Sequence, residues 1–221
     1  MRCEKEGYLK FVPRKFRPAL RNFRLLNRGY GHFRTMRTRA SVDADGHPIP
    51  WYTYPATEYV KQLDLSGCSL FEYGSGYSTL FYAARCRRIT AVEDNRKWGE
   101  ILRPQAPENA EILLAETEEE YVRAIHREER KYDVIIVDGS HRERCCEQVG
   151  GRLRETGMVI LDNSDALPGC VARLKQHDFI QVDFVGFGPL NGYLWATSFF
   201  FRRGFNIPSL PRHQPTLSVG P

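Results

Sequence analysis

Acidic residues recur where short apolar runs end. The runs "CSLFEY" (68–73), "RITAVE" (88–93), "AEILLA" (110–115), "YDVIIVD" (132–138) and "GMVILD" (157–162) lead in turn to five polar positions. These are Glu72 before Gly74-Ser75-Gly76, then Glu93-Asp94, Glu116, Asp138-Gly139 and Asp162-Asn163. Solvated loops explain some polar strand ends, but not a carboxylate at every one. Carboxylates gathered at one edge can attract a cationic ligand, accept hydroxyl groups, hold a hard divalent cation or take a proton.

The glycine turn "FEYGSG" (71–76) raises the question of a nucleotide. A dinucleotide fingerprint needs a third glycine, where this chain has Thr79, and a phosphate beside Glu72 would be repelled. No GxxxxGK[ST] run is present. S-adenosylmethionine suits these residues better. It lacks phosphate, its sulfonium and amino groups are cationic, and its ribose hydroxyls suit a carboxylate such as Glu93. Asp138 and the pair Asp162-Asn163 end neighbouring runs, so three oxygens can converge there. That set suits Mg²⁺, which takes carboxylate and amide oxygens and keeps several waters. Plainer readings stand beside this one: Asp138 contacting the cofactor or capping a helix, and Asp162-Asn163 as a polar turn.

Through "FEYGSG", "AVED", the Asp138 run and a closing hairpin, residues 55–203 resemble the class I S-adenosylmethionine-dependent methyltransferases. The resemblance implies a seven-stranded sheet with its last strand antiparallel. It places Glu72, Gly74 and Gly76 at the methionine part, Glu93 at the ribose and Glu116 near the adenine amino group, with Ser75, Asp94 and Asp138 also at the cofactor. "VDGSH" (137–141) with "LDNSD" (161–165) is similar to the metal-dependent O-methyltransferases of the catechol, caffeoyl-coenzyme A and macrocin types. In that resemblance Asp138, Asp162 and Asn163 bind the cation. His141 stands where the catechol type has its basic lysine, and a histidine can accept a proton from a metal-bound hydroxyl. The expectation is methyl transfer to a hydroxyl oxygen of a small-molecule or sugar-like acceptor, assisted by Mg²⁺, with Asp138 and His141 as catalytic residues. The alternatives are a metal-independent N- or RNA methyltransferase and a non-catalytic binding module.

The elements that must position these residues alternate. Helix-like stretches at 77–86, 95–103, 117–129 and 141–154 separate the five runs, the pattern of an α/β Rossmann-like sheet with helices on both faces. "DFIQVDFVGF" (178–187) and "YLWATSFFFRR" (193–203) meet across a Gly- and Pro-rich loop with no helix between, so the sheet is read as mostly parallel with an antiparallel last strand. "GFGPLNGY" (186–193) falls at the substrate end and is read as a specificity loop. Trp51, Tyr52 and Tyr54 in "PWYTYP" are read as a lid or as packing. The glutamates 118–120 and the arginines Arg142 and Arg144 are read as solvated helix faces.

The chain has 221 residues, 42% apolar and 12% aromatic, enough for one folded domain. No apolar run is long enough to span a bilayer, and the opening "MRCEKEGYLKF" shows no secretory pattern. Six cysteines without CxxC spacing indicate a reducing, cytoplasmic setting. The net charge of +5 is uneven, because residues 1–40 carry twelve Lys or Arg against Glu4 and Glu6. The divisions expected are a basic extension and linker (1–50), a methyltransferase domain (51–205) and a loose tail (206–221). A helix is expected near 18–28, a turn at 43–50 and a helix from Thr53. The basic segment suits an anionic membrane surface or an acidic substrate, with nucleic acid less favoured. The oligomeric state is open, a homodimer included.

Overall fold

The structure is a computed structural model that describes residues 11–212, 214–216 and 219. Arg2, Cys3, Lys5 and Lys10 of the basic segment lie outside the described residues. Seven strands form one sheet: β1 (Ser69–Tyr73), β2 (Arg88–Glu93), β3 (Ala110–Leu114), β4 (Tyr132–Val137), β5 (Leu153–Asp162), β6 (Ile180–Gly186) and β7 (Trp195–Phe201). Their order is β3-β2-β1-β4-β5-β7-β6. The pairs among β1 to β5 are parallel, and β7 runs antiparallel to both β5 and β6. The sheet is therefore the Rossmann-like one expected, with β7 inserted inside the edge strand β6.

Period-two alternation splits the core between two faces. Leu70, Val134, Ile136 and Ile160 pack on one face with Val60, Phe81 and Tyr82. These come from α3 (Tyr54–Val60) and α4 (Tyr77–Ala83). Phe71, Ile135, Val137 and Val159 pack on the other with Tyr121, Cys146, Val149 and Leu174. Those belong to α6 (Glu118–Arg123), α7 (Arg142–Arg152) and α8 (Pro168–Lys175), while α5 (Arg96–Leu102) follows β2. Burying each such apolar side chain contributes about 1.5–3 kcal/mol, which is why these strands read as continuous apolar runs. All seven residues of β7 are buried, whereas every residue of β6 is partly or fully exposed, as in an edge strand.

Several boundaries differ from expectation. β5 begins at Leu153, and α7 stops before it; Gly150 and Gly151 weaken the helix there. α8 was not among the expected elements; its Pro168 is well placed at a first helical position. The basic segment holds α1 (Arg17–Arg24), a π-helical turn (Leu25–Gly29) and α2 (His32–Thr38). It packs on the sheet domain: the Tyr30 and Tyr54 rings lie 4.3 Å apart, and His32 Nδ1 is 3.2 Å from the Tyr54 hydroxyl. The tail expected to be loose is tied to the end of α3, where Asp64 N–H donates to Pro208 O (2.8 Å) and Leu210 N–H to Gln62 O (2.8 Å). Cys68, Cys86, Cys145, Cys146 and Cys170 are free and buried. Among the described residues no helix is long and apolar enough to cross a membrane.

Candidate active site

In an open α/β sheet the ligand crevice lies beyond the carboxyl ends of the strands, where the strand order reverses. Here that point is between β1 and β4. Gly74 follows β1 at φ 102, a conformation glycine adopts without strain. Gly139 follows β4, and the two backbones touch: a Cβ on Gly139 would fall 2.0 Å from the Tyr121 hydroxyl and 2.7 Å from Gly74 Cα. Gly139→Ala is therefore expected to destabilise the protein by about 3 kcal/mol, measured by thermal unfolding. An unchanged melting temperature would show that this crossing is slack.

The glycine turn is stitched by carboxylates. Glu72, on β1, is 1% exposed and faces α4. Its Oε1 accepts from Ser78 Oγ and its Oε2 from Thr79 Oγ1, both at 2.5 Å. Thr79 Oγ1 in turn accepts from Gly76 N–H at 2.9 Å. Burial raises the Glu72 carboxyl to about 7, against the opposing pull of the two hydroxyls. Glu93, at the end of β2, accepts from Ser75 N–H (3.1 Å), Ser75 Oγ (2.7 Å) and Asn95 N–H (2.9 Å). A carboxylate has about four acceptor sites, so acceptor capacity remains for a ribose hydroxyl.

Beyond β4 and β5 lies a second constellation. Asp138 and Asp162 are both raised, Asp138 by burial and then by the charge of Asp162, Asp162 chiefly by burial. One Asp162 oxygen is committed to β7: Oδ1 accepts from Trp195 Nε1 (3.0 Å) and Thr197 Oγ1 (2.5 Å). The point where Asp138 and Asn163 converge is filled by the guanidinium of Arg142. It donates to Gly139 O (2.8 Å), Asp162 O (2.6 Å), Asn163 Oδ1 (3.1 Å), Asp138 O (3.1 Å) and Asp138 Oδ1 (3.2 Å). Arg142 was expected to decorate the helix surface, but it is a fixed internal cation.

A cavity of about 410 Å³ opens over this edge, within the range of small-molecule sites. Its floor includes Ser75, Gly76, Ser78, Asp138, Arg142, Asp162 and Asn163, and its walls include Tyr77 and Trp98. Trp98 Nε1 donates to Ser75 O at 2.8 Å, which fixes the ring beside the turn. Arg39, Ser41 and Trp51 close it from the N-terminal side; Leu190, Asn191 and Tyr193 from the loop between β6 and β7. Of the three aromatics expected as a lid, Trp51 lines the cavity, while Tyr52 and Tyr54 are buried in the core.

Other expected site residues stand elsewhere. Glu116 is exposed and paired with Arg96, outside this cavity. His141 takes the left-handed conformation (φ 51) ahead of α7, which turns its ring toward Tyr121, 5.8 Å away. Its Nδ1 is 3.5 Å from Glu118 Oε2 and its Nε2 3.9 Å from Asp94 Oδ2, so Asp94 meets the histidine on the β2 side. His141 does not line the cavity; the next residue, Arg142, does. Arg142, Trp98, Ser78 and Arg39 were not recognised in the sequence. Only the spacing of Arg142, four residues after Asp138 on a helix start, offered a signal.

Residues 71–164 match a family described as a methyltransferase domain. The match spans less than half of the chain, and those residues are similar to a methyltransferase domain. No curated protein matches the chain. Among solved structures, precorrin-6Y C5,15-methyltransferase from Geobacter metallireducens GS-15 is similar at 17% identity, covering 74% of this chain and 97% of that one with a TM-score of 0.53. Precorrin 8W decarboxylase from Methanobacterium thermoautotrophicum is 14% identical over 69% of this chain and 92% of its own, with a TM-score of 0.50. An rRNA methylase from Streptococcus thermophilus is 17% identical over 67% and 96%, with a TM-score of 0.49. The first two likenesses are of fold, a Rossmann-like methyltransferase fold, and S-adenosylmethionine is the cofactor expected of such a domain.

The residues present fit that cofactor. Gly76 lines the cavity with the carboxylates Asp138 and Asp162, which suit a cationic sulfonium and amino group, while Glu72 and Glu93, expected to meet the cofactor, are buried behind the glycine turn and off the cavity lining. The residues present do not fit a divalent ion held by Asp138, Asp162 and Asn163. A guanidinium already takes Asp138 Oδ1 and Asn163 Oδ1 and sets a positive charge between them, and Asp162 Oδ1 is bound by Trp195 and Thr197.

Proposed function

We propose that this domain methylates a hydroxyl oxygen of a small molecule held in the cavity, with Asp138 taking the proton and Arg142 in the place a metal would have. The observation that carries this reading is the Arg142 guanidinium bound to both strand ends at once. S-adenosylmethionine, when bound, supplies a methyl group on a sulfonium open to in-line displacement. Ser75, Gly76 and Ser78 would seat its methionine part, with the Glu72 carboxylate behind Ser78, and Glu93 would meet the ribose. Asp138, a fifth exposed, reaches the cavity and is oriented by Arg142. Its raised pKa brings it closer to the hydroxyl proton it must accept. Arg142 pulls that pKa back down and offsets the paired negative charge. Trp51, Trp98 and Tyr77 limit water around the reacting atoms.

The test is calorimetry with S-adenosylmethionine and S-adenosylhomocysteine, followed by labelled methyl transfer to pooled small hydroxyl compounds. Both ligands are expected to bind, and transfer is expected to survive a chelator and to fall about a hundredfold or more in Asp138→Asn. Dependence of the wild-type reaction on added Mg²⁺ would sink the metal-free part of the reading. Failure of both ligands to bind would sink the whole of it.

A further inference from the structure

The floor of the cavity is acidic, and its mouth is not. Asp138 and Asp162 sit at the strand ends, with the Arg142 charge spent between them. The other cation on the lining, Arg39, has no ion-pair partner among the described residues. It stands at the end of α2 in the left-handed region, at φ 53, a strained setting for a residue with a side chain. Two residues on, Ser41 also lines the cavity; it is 3% exposed, and its Oγ has no hydrogen-bond partner among the described residues. Leaving a buried hydroxyl unpaired is unfavourable, so the position is one that a ligand oxygen would complete. Asn191 faces the same space from the loop between β6 and β7. That loop is anchored to α2, because Leu190 N–H donates to Oγ1 of the fully buried Thr35 at 3.1 Å. A guanidinium, a hydroxyl and an amide thus line one cavity, carried by two segments tied to each other.

The geometry points to an anion subsite formed by Arg39, Ser41 and Asn191 that holds a carboxylate or phosphate group on the methyl acceptor. It rests on the methyltransferase reading of the cavity. An anion placed on the floor would face Asp138 and Asp162, so within the cavity the mouth is where its charge is matched. All three residues lie outside 71–164, the part shared with other methyltransferase domains. Recognition of the common cofactor belongs to that shared part, and recognition of this chain's own acceptor to the segments around it. Trp51 and Tyr193, on the same lining, would flank the body of such an acceptor.

The experiment titrates benzoate, phenyl phosphate and the neutral benzamide into the full-length protein saturated with S-adenosylhomocysteine, for wild type, Arg39→Ala and Ser41→Ala. Arg39 is exposed, so its variant should fold, and circular dichroism confirms it. Benzoate or phenyl phosphate should bind the wild type and lose about tenfold to a hundredfold in Arg39→Ala, with a smaller loss in Ser41→Ala. Benzamide binding should not respond to Arg39→Ala, and S-adenosylhomocysteine affinity should stay within about twofold. The stronger of the two anions tells a carboxylate acceptor from a phosphorylated one. The subsite is overturned if neither anion binds the wild type, or if both bind Arg39→Ala equally well. It is also overturned if Arg39→Ala weakens S-adenosylhomocysteine instead, which would assign Arg39 to the cofactor's own carboxylate. Absence of S-adenosylhomocysteine binding to the wild type would remove the methyltransferase reading itself.

Discussion

Arg142→Ala is expected to reduce methyl transfer by about a hundredfold to a thousandfold and to destabilise the protein by about 3 kcal/mol at pH 8. Five hydrogen bonds from one guanidinium close the gap between β4 and β5. Removing it leaves Asp138 and Asp162 facing each other without a counter-charge. Their folded-state pKa values already lie above the ordinary carboxylate range, and loss of the cation raises them further. A carboxyl group whose folded pKa exceeds its unfolded value holds its proton more tightly in the native state. Its contribution to stability is then lost as pH rises from the unfolded value through the folded one. The deficit of Arg142→Ala relative to wild type should therefore be small near pH 4 and widen toward pH 8. Melting temperatures across that range measure it. Arg142→Lys keeps the charge but loses the forked geometry, so it should recover stability better than turnover. A deficit that does not change with pH, or an alanine variant with full activity, would refute the assigned role. The vacated oxygens give a further check: Arg142→Ala should acquire weak Mn²⁺ binding that the wild type lacks, seen by paramagnetic relaxation.

Glu72→Gln is expected to stabilise the protein at pH 8 while weakening its hold on the cofactor. Burial lifts this carboxyl from 4.5 to about 7. The native state therefore binds more protons than the unfolded chain between those values, and wild-type stability falls as pH rises through that window. The corresponding free energy is about 3 kcal/mol, complete above the folded value and absent below the unfolded one. Glutamine has the same shape without the charge, so the variant should match wild type near pH 4.5 and exceed it above pH 7. Its two hydroxyl partners, Ser78 and Thr79, can turn to suit an amide. At pH 8 the same change removes a negative charge from behind Ser78, the proposed seat of the methionine part, so affinity for cationic S-adenosylmethionine should drop more than affinity for S-adenosylhomocysteine. Parallel melting curves at pH 4.5 and pH 8, with calorimetry of both ligands, test the two halves separately. A stability gap that shrinks as pH rises would contradict the buried-charge account.

A stabilising substitution at a functional position is the usual sign of a site strained for use. Here the strain has a named source: a carboxylate placed on the core face of β1, where alternation calls for an apolar side chain. Leu70 and Glu72 lie on the same face of the strand, and only the α4 hydroxyls make the second of them tolerable.

The sequence alone determined the sheet, its mostly parallel direction, the final antiparallel hairpin and the edge on which the carboxylates gather. Those follow from local rules: apolar runs of strand length, helical stretches between them and a Gly- and Pro-rich loop without a helix. The expectation that the glycine turn does not suit a phosphate likewise came from near neighbours in the chain, Glu72 and Thr79. Tertiary structure decided which residue reaches the strand ends. The left-handed backbone at His141 turns that ring toward Tyr121 and delivers Arg142 to Asp138 and Asn163, a reversal that one-dimensional spacing cannot show. Long-range packing likewise set β7 between β5 and β6, turned Asp162 toward Trp195 and Thr197, and folded the basic segment against Tyr54 so that Arg39 and Ser41 reach the cavity. The distinction is physical. Strand and helix preferences are carried by neighbours in sequence, whereas the partner of a buried charge is chosen by whichever distant group satisfies it.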